Sequence, residues 1–295
     1  MPNCAMRYRP SRRRRTAFEQ ARLQVKSRDV CDCRSPDIPS SPSPACAIRG
    51  VAVTVDDKPS IVFAHGLWAD GSCFGRVISE LQAEGYEAIS SGYALESLDG
   101  DVAAMIRALG RVTSPSVLVG HSYGGSVITV AGTDARVAGL VFIAALAPEV
   151  GETSKTQLSN FPIADVFSEV EVADGRIWMF PEGVECFAGD LSAQDKAVVW
   201  ATHRAPAADV LEAEVRTAAW KTKPSWYIVA HEDRCVQPDL QRFFAARMGA
   251  TTYEVESSHM VMLSHPEFVI GVIRQAAQAL QVSRAGSGVE GWAVR

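Results

Sequence analysis

The sequence predicts an α/β fold in which helices cover both faces of a mostly parallel central sheet. From residue 51 onward, short runs of branched and aromatic residues alternate with longer helix-like segments, as in successive βαβ units. A chain of 295 residues, of which 47% are hydrophobic, is long enough to bury one large core. The predicted strands are Ser60 to Ala64, Glu87 to Ser91, Ser116 to Val119, Gly139 to Ala144, Trp226 to Ala230 and Thr251 to Val255.

The first 50 residues differ in composition from the rest of the chain. They hold 11 basic and 4 acidic residues, a net charge of +7, whereas the remainder holds 18 basic and 30 acidic residues, a net charge of −12. Arg12 to Arg15 and a Ser/Pro-rich run from Ser35 to Pro44 are typical of disorder. We expect a dispensable tail, or a true translation start near Val51 to Val53. No apolar run of the kind that export signals need follows the arginines, so export is not expected.

Cysteine usage and the visible motifs limit the class of protein. Four of the 7 cysteines lie in the tail, and Cys73, Cys186 and Cys235 are scattered without zinc-ligand spacing. No apolar run approaches the length of a membrane span, and no phosphate-loop or dinucleotide fingerprint is present in the sequence. We expect a cytoplasmic protein that needs no cofactor or metal, binds no nucleic acid and acts on a small molecule.

The sequence Gly120-His121-Ser122-Tyr123-Gly124-Gly125 lies between a predicted strand and a predicted helix. A Ser flanked by glycines at such a junction is typical of a nucleophile elbow, a turn too tight for side chains two residues before or after the Ser. A G-x-S-x-G pattern alone arises by chance in roughly one chain in ten of this length. Its position between strand and helix makes Ser122 the predicted nucleophile, with His121 packed beneath the turn.

His259 is the predicted general base. A Ser hydroxyl needs a nearby His to take its proton, and that His needs a carboxylate to orient it. His259 follows the strand that ends at Val255, in a short polar loop where an imidazole can project over the carboxyl edge of the sheet. His265 is the alternative base, although Ser264-His265-Pro266-Glu267 is typical of a helix start.

Asp233 is the predicted acid of the same group. It lies in the loop His231-Glu232-Asp233-Arg234, directly after the aromatic and branched strand that ends at Ala230. Asp233 is deeper in the loop than Glu232 and precedes the helix that begins near Pro238. Glu232 remains the alternative acid, and an ion pair between Asp233 and Arg234 remains the alternative role of Asp233.

The loop after the first predicted strand is expected to complete the site. Attack on a carbonyl builds negative charge that preorganised backbone N–H groups must stabilise. The Tyr123 amide is the first predicted donor of this oxyanion hole. The Leu67 amide is the second, because Gly66 lets the His65-Gly66-Leu67-Trp68 backbone turn closely. In the alternative, this is an ordinary loop in which Asp70 or Ser72 caps the next helix.

With these motifs in the chain order Ser, acid, His, the sequence resembles the α/β-hydrolase superfamily over about residues 58 to 280. Within it, the His65-Gly66-Leu67-Trp68-Ala69-Asp70-Gly71-Ser72-Cys73-Phe74 run is similar to the small-esterase branch. That branch includes methyl esterases, hydroxynitrile lyases and bacterial ester or carbamate hydrolases. The resemblance implies an α/β-hydrolase fold and a Ser122, Asp233 and His259 triad, with the Leu67 and Tyr123 amides as the oxyanion hole.

The same resemblance predicts the domain organisation and the substrate pocket. It implies a core of residues 51–147 and 224–282, a helical cap insertion at residues 148–223 and a C-terminal tail at 283–295. The pocket is expected to include Trp68, Trp178, Phe180 and Met260, although the aromatic residues of the insertion can instead hold it to the core. Hydroxynitrile lyases carry Thr and Lys where this chain has Gly66 and Met260, so lyase chemistry is disfavoured.

The predicted function is hydrolysis of carboxylic esters of small to medium apolar or aromatic substrates through an acyl-enzyme. The nearest alternative is an amide or carbamate hydrolase, or a cofactor-free perhydrolase, that uses the same three residues. A more distant one is a noncatalytic ligand-binding receptor on the same scaffold.

Overall fold

A parallel sheet forms the centre of the computed structural model, which describes residues 58–113 and 115–287. Within these residues the strands are β1 (Ser60–Ala64), β2 (Ala88–Ser90), β3 (Ser116–His121), β4 (Val137–Ile143), β5 (Val170–Ala173), β6 (Arg176–Met179), β7 (Ser225–Ala230) and β8 (Thr251–Val255). Six of them pair side by side, all parallel, in the order β2-β1-β3-β4-β7-β8, and β5 and β6 form a separate antiparallel pair. The predicted α/β fold class is confirmed.

Helices connect the strands and cover the sheet. In the described part of the chain they are α1 (Gly75–Ala83), α2 (Leu98–Leu109), α3 (Gly124–Ala131), α4 (Ser154–Ser159), α5 (Val184–Phe187), α6 (Ala193–Thr202), α7 (Pro238–Met248), α8 (Val261–Ser264) and α9 (Pro266–Ser287). Local signals set several ends: Ser97 caps α2 through the Gly100 amide, and Gly249 ends α7 in the left-handed conformation. None of these helices is long and apolar enough to cross a membrane.

The central strands are buried on both faces. Every residue of β1, β3 and β7 is buried, whereas the edge strand β8 consists of exposed and half-buried residues. Double-sided burial is the reason that these strands are near-continuous apolar runs. Because the strands are parallel, the loops after β1, β3, β7 and β8 all leave the same edge of the sheet, where ligands bind in open α/β sheets.

Residues 148–223 leave the strand–helix alternation between β4 and β7. They hold the short helices α4 and α5, the β5–β6 pair and α6, and part of their apolar surface joins the central core, including Val166, Phe187 and Val215. The predicted tail at residues 1–50 lies outside the described residues. At the other end, α9 continues past the predicted boundary at residue 282 to Ser287.

Candidate active site

Ser122 occupies the sharp turn between β3 and α3. Its φ of +54° places an L-residue in the left-handed region, which costs about 1–2 kcal/mol. The turn is fastened on both sides, because Ser122 N donates to Ile143 O (3.1 Å) and Leu146 N donates to Ser122 O (3.0 Å). The surrounding fold therefore holds the strained residue in place.

The glycines around Ser122 are required by close backbone contacts. A Cβ on Gly120 would lie 2.7 Å from the Gly124 carbonyl oxygen. On Gly124 it would overlap the Ala64 carbonyl, and on Gly125 the Leu146 carbonyl. Only glycine lets α3 begin this close to β1 and to the chain after β4.

Asp233 and His259 form a buried hydrogen-bonded pair. His259 Nδ1 lies 2.7 Å from Asp233 Oδ2, and both side chains are almost completely buried. A carboxylate accepts, so Nδ1 carries the proton and leaves Nε2 available as an acceptor. Ser122 and His259 line one cavity, but no Ser122–His259 hydrogen bond is among those of the described residues. Such contacts often tighten only when substrate is bound.

Two rings enclose the His259 imidazole. His121 lies 4.5 Å from it between ring centroids, and Phe187 lies 5.3 Å away. His121 Nε2 donates to the His259 carbonyl oxygen at 3.0 Å, which fixes the main chain of the candidate base. Burial, assisted by the adjacent His259, holds the pKa of His121 well below its ordinary value. His121 is therefore a neutral donor beneath the site.

The loop after β1 touches Ser122 directly. A Cβ on Gly66 would lie 2.6 Å from Ser122 Cβ and 3.2 Å from its Oγ, so the backbone approaches the Ser as closely as glycine allows. Next along the loop, Trp68 has a φ of +55°, and its Nε1 donates to Ile177 O (2.9 Å). The hydrogen bonds of the described residues include none donated by the Leu67 or Tyr123 amide. Asp70 accepts from Ser72 N and caps the short helix that follows.

A small, mostly apolar cavity surrounds Ser122. It measures about 20 Å³ and is lined by Leu67, Trp68, Ser122, Tyr123, Leu146, Leu158, Val166, Phe167, Leu211, Cys235, Val236 and His259. Residues 148–223 supply four of these side chains. The cavity thus lies between the sheet edge and this segment.

One family model matches this chain, over residues 61–272, and its description is the alpha/beta hydrolase family. The chain belongs to the alpha/beta hydrolase family. Membership of this family supports hydrolase activity. No curated protein matches the sequence.

Solved structures share the fold of this alpha/beta hydrolase at low sequence identity. Polyneuridine aldehyde esterase is 16% identical with a TM-score of 0.65, and the match covers 74% of this chain and 99% of the esterase. A pyrethroid hydrolase from Sphingobium faniae JZ-2 is 20% identical with a TM-score of 0.65, covering 75% and 98%. An extracellular alpha/beta-hydrolase from a Paenibacillus species is 19% identical with a TM-score of 0.62, covering 74% and 99%.

The structure brings some predicted site residues together and leaves others apart. Ser122, His259, Leu67, Tyr123 and Trp68 line the cavity, and Asp233 lies behind His259. Met260 is buried in a neighbouring cavity on the far side of Trp68, with Phe187 and Val199. Trp178 and Phe180 are 40% and 38% exposed and do not reach the Ser122 cavity. They lie on and just after β6 of the β5–β6 pair.

The alternatives for the base and the acid lie elsewhere. His265 stands between α8 and α9, where its carbonyl accepts from Phe268 N and Val269 N. Glu232 is exposed. Arg234 pairs with Asp165 (2.7 Å) and not with Asp233.

Two supporting residues were not found from the sequence. Gln241 on α7 is fully buried, and its Nε2 donates to Asp233 Oδ2 (2.7 Å), the oxygen that also accepts from His259. Asp190 accepts from Ser258 N (3.0 Å) and from the hydroxyls of Ser257 and Ser258, directly before His259. A Gln on the apolar side of a predicted helix is the sequence signal that points to Gln241. No sequence pattern points to Asp190.

Cys235 lies close to Asp233 and His259, and all three are residue types that can bind a metal ion. The Cys235 Sγ, the Asp233 carboxylate and a His259 ring nitrogen lie within 4.8 Å of one another. Among the described residues, this is a group of three side chains of the types that bind metal ions. Desolvation by burial raises the pKa of the Cys235 thiol well above its ordinary value, and Asp233 and His259 already bind each other. Within this group His259 Nδ1 donates to Asp233 Oδ2 (2.7 Å), and the Cys235 thiol donates to Cys186 O (3.5 Å).

Proposed function

We propose that this alpha/beta hydrolase cleaves carboxylic esters of small to medium apolar or aromatic substrates through an acyl-enzyme. The single observation that carries the proposal is the buried Asp233–His259 pair at the cavity that holds Ser122 on its strained turn. A nucleophile, a base and an orienting acid in this arrangement define serine-type acyl transfer.

In the proposed mechanism, Ser122 Oγ attacks the ester carbonyl carbon while His259 Nε2 takes its proton. Asp233 keeps the Nδ1–H tautomer and stabilises the imidazolium that forms. The carbonyl oxygen becomes an oxyanion, which the Leu67 and Tyr123 amides stabilise. His259 then gives its proton to the leaving alcohol, and water, activated by the same His, hydrolyses the acyl-enzyme and restores Ser122.

The contacts of residues 148–223 support the proposal that this segment is a cap over the site. Phe187 packs against His259, and Leu158, Val166, Phe167 and Leu211 close the cavity from above the sheet edge. A cap that excludes water strengthens the electrostatic interactions inside the cavity, including those proposed between the oxyanion and the Leu67 and Tyr123 amides. We also propose a cytoplasmic setting, with which the free thiols of Cys73, Cys186 and Cys235 agree.

The replacement Ser122→Ala tests the nucleophile. The variant is expected to keep less than about 1% of the wild-type rate on short-chain aryl esters, because losing a triad member usually costs orders of magnitude. Ser126→Ala is the matched control: Ser126 is also buried and lies four residues later on α3, but its hydroxyl hydrogen-bonds the Ser154 hydroxyl (2.8 Å). Covalent labelling of Ser122 by a fluorophosphonate is expected in wild type. Ester turnover that survives in Ser122→Ala would overturn the proposal.

A further inference from the structure

Two apolar cavities share one wall beside Ser122. The inner cavity contains Ser122 and His259 and measures about 20 Å³. The outer cavity measures about 350 Å³ and lies among the segment around α4, the short helix at 165–168 and α7. The side chains that line both are Leu158, Phe167 and Leu211, called here the shared wall. The outer cavity therefore lies one layer of side chains away from the candidate nucleophile.

The inner cavity limits what can lie against Ser122. A volume of about 20 Å³ holds one water-sized group, since a single water needs roughly 10–15 Å³. An ester carbonyl carries two substituents, one on carbon and one on oxygen. At most one of them, and only a short one, fits beside Ser122 without displacing the core.

The outer cavity has the character of a site for a large apolar group. Its lining includes Phe161, Ile163, Ile177 and Leu240 as well as the shared wall. The charged groups on it, Lys155 and Glu212, are more than half exposed and neutralise each other in an ion pair (2.6 Å) at the rim. An apolar group bound there would be removed from water without burying an unpaired charge.

The other cavities around the site are separated from Ser122 more firmly. The cavity beside Met260 shares only Trp68 with the inner one, and the indole is fixed by its hydrogen bond to Ile177 O. The polar cavity beside His65 and Arg204 shares no lining residue with it. The shared wall, in contrast, consists of three apolar side chains without polar tethers, and two of them are only partly buried.

We propose that the outer cavity binds the larger, apolar substituent of the ester, and that the shared wall moves aside to let this substituent extend from Ser122. The other substituent is limited to a single carbon, a group close in size to the one water-sized group that the inner cavity holds. The assignment rests on the proposed ester hydrolysis and specifies its substrate class as strongly asymmetric apolar esters. Leu158, Phe167 and Leu211 are then specificity-determining residues.

The substrate test compares three ester series with the purified full chain. Methyl esters of straight-chain acids lengthen the acyl side, acetates of straight-chain alcohols lengthen the alcohol side, and esters such as hexyl hexanoate are long on both sides. In whichever of the first two series places its longer side in the outer cavity, kcat/KM is expected to rise about fourfold per added methylene until that cavity is full. For esters that are long on both sides, kcat/KM is expected to be at least about tenfold lower than for the long esters of the better asymmetric series. Equal rates for symmetric and asymmetric long esters would overturn the assignment.

Filling the outer cavity provides the second test. Ala208 lines the outer cavity but not the inner one and is only partly buried, so Ala208→Trp occupies the space without touching Ser122. The variant is expected to lose about tenfold in kcat/KM on the long asymmetric esters and to keep the wild-type rate on methyl acetate. Ala201→Trp, on the exposed face of α6, is the matched control and should change neither. An unchanged length preference in Ala208→Trp contradicts the assignment.

The two proposals fail in different ways. Absence of turnover in every series, together with absence of fluorophosphonate labelling at Ser122, would overturn the proposed function and the cavity assignment with it. Turnover and Ser122 labelling without a length preference would overturn only the assignment of the outer cavity.

Discussion

At the scale of single residues, Gly66 shows how closely the candidate site is packed. Its Cα faces Ser122, and an added Cβ would also lie 3.0 Å from His121 Nδ1. None of these neighbours can retreat, because His121 and Ser122 are buried and held by backbone hydrogen bonds. The distance between the Leu67 amide and the nucleophile therefore depends on the absence of a side chain at position 66.

Gly66→Ala is expected to reduce kcat/KM by about a hundredfold, since displacements near 1 Å in a catalytic site have costs of this order. Gly75→Ala is the matched control, because a Cβ there meets no atom within 4 Å. Steady-state kinetics on one ester, with circular dichroism to verify folding, checks both variants. Full activity in Gly66→Ala would show that the loop after β1 does not position the reaction.

Gln241 is expected to position Asp233. Gln241→Leu leaves Asp233 Oδ2 with one donor fewer, and the carboxylate then stabilises an imidazolium at His259 more strongly. The acidic limb of the kcat/KM profile should move to higher pH, with about a tenfold loss of activity. A loss of about 1–3 kcal/mol in the free energy of unfolding is also expected, because Ala230 N and Val236 O lose their partner.

The control for this variant is Gln157→Leu. Gln157 is equally buried, but its amide bonds Glu152 and does not contact the candidate site. It should lose stability and leave the pH profile unchanged. A Gln241→Leu profile that coincides with that of wild type would limit Gln241 to a structural role.

At the scale of elements, the loop before α8 is fixed by a segment that is distant in sequence. Asp190, between α5 and α6, accepts three hydrogen bonds from Ser257 and Ser258, and Ser257 also bonds Ser264 (2.8 Å) on α8. Desolvation raises the pKa of Asp190, but the serine hydrogen bonds outweigh it, and the pKa lies below its ordinary value. The ionised carboxylate therefore links the proposed cap to the loop that carries His259.

Asp190→Asn is expected to lower kcat/KM about tenfold, because one of the two accepting oxygens becomes an NH₂ donor. At the Oδ2 position it would face the donating Ser258 amide, and at the Oδ1 position it would reverse the hydrogen bond with the Ser258 hydroxyl. The control is Asp195→Asn on α6, in the same segment. Among the described hydrogen bonds, the Asp195 carboxylate accepts only from the Ser192 hydroxyl. Fluorophosphonate labelling rates measured beside the steady-state rates report whether His259 still activates Ser122. Equal labelling rates in Asp190→Asn and Asp195→Asn would contradict this link.

At the scale of the whole molecule, Asp101 makes stability depend on pH. Its carboxyl is buried beneath the turn after β3, where it accepts from Tyr123 Oη (3.0 Å) and Leu95 N (3.3 Å). Desolvation raises its pKa to about 6 in spite of these hydrogen bonds, compared with 3.8 for an ordinary Asp. The folded state holds the proton more tightly than the unfolded state, so this group lowers the free energy of unfolding as pH rises from about 4 to 6.

Asp101→Asn removes this dependence. Relative to the variant, wild type is expected to lose stability between pH 4 and pH 6 and to show a constant difference above about pH 6.5. Urea unfolding at pH 4.5, 5.5 and 7.5 measures the difference. Asp99→Asn, exposed on the same helix, is the control and should follow wild type. A difference between Asp101→Asn and wild type that does not change with pH would contradict the assignment.

The α/β class and the positions of the six sheet strands could be predicted from the sequence, because alternating apolar runs and helix-like segments are local properties of the chain. The sequence also located the turn at Ser122, since glycine is demanded there by contacts between neighbouring strand and helix. The order of Ser122, Asp233 and His259 along the chain was readable for the same reason: each follows a strand, and parallel strands end at one edge of the sheet.

Which side chains meet depends on the tertiary fold. Asp233 and not Glu232 contacts His259, Gln241 and Asp190 support the two loops, and the shared wall of Leu158, Phe167 and Leu211 divides the space beside Ser122. Trp178 and Phe180 are aromatic yet 40% and 38% exposed, whereas Met179 between them is buried, because successive side chains of extended backbone point to opposite faces. These outcomes depend on packing between segments far apart in sequence, which residue type and spacing do not encode locally.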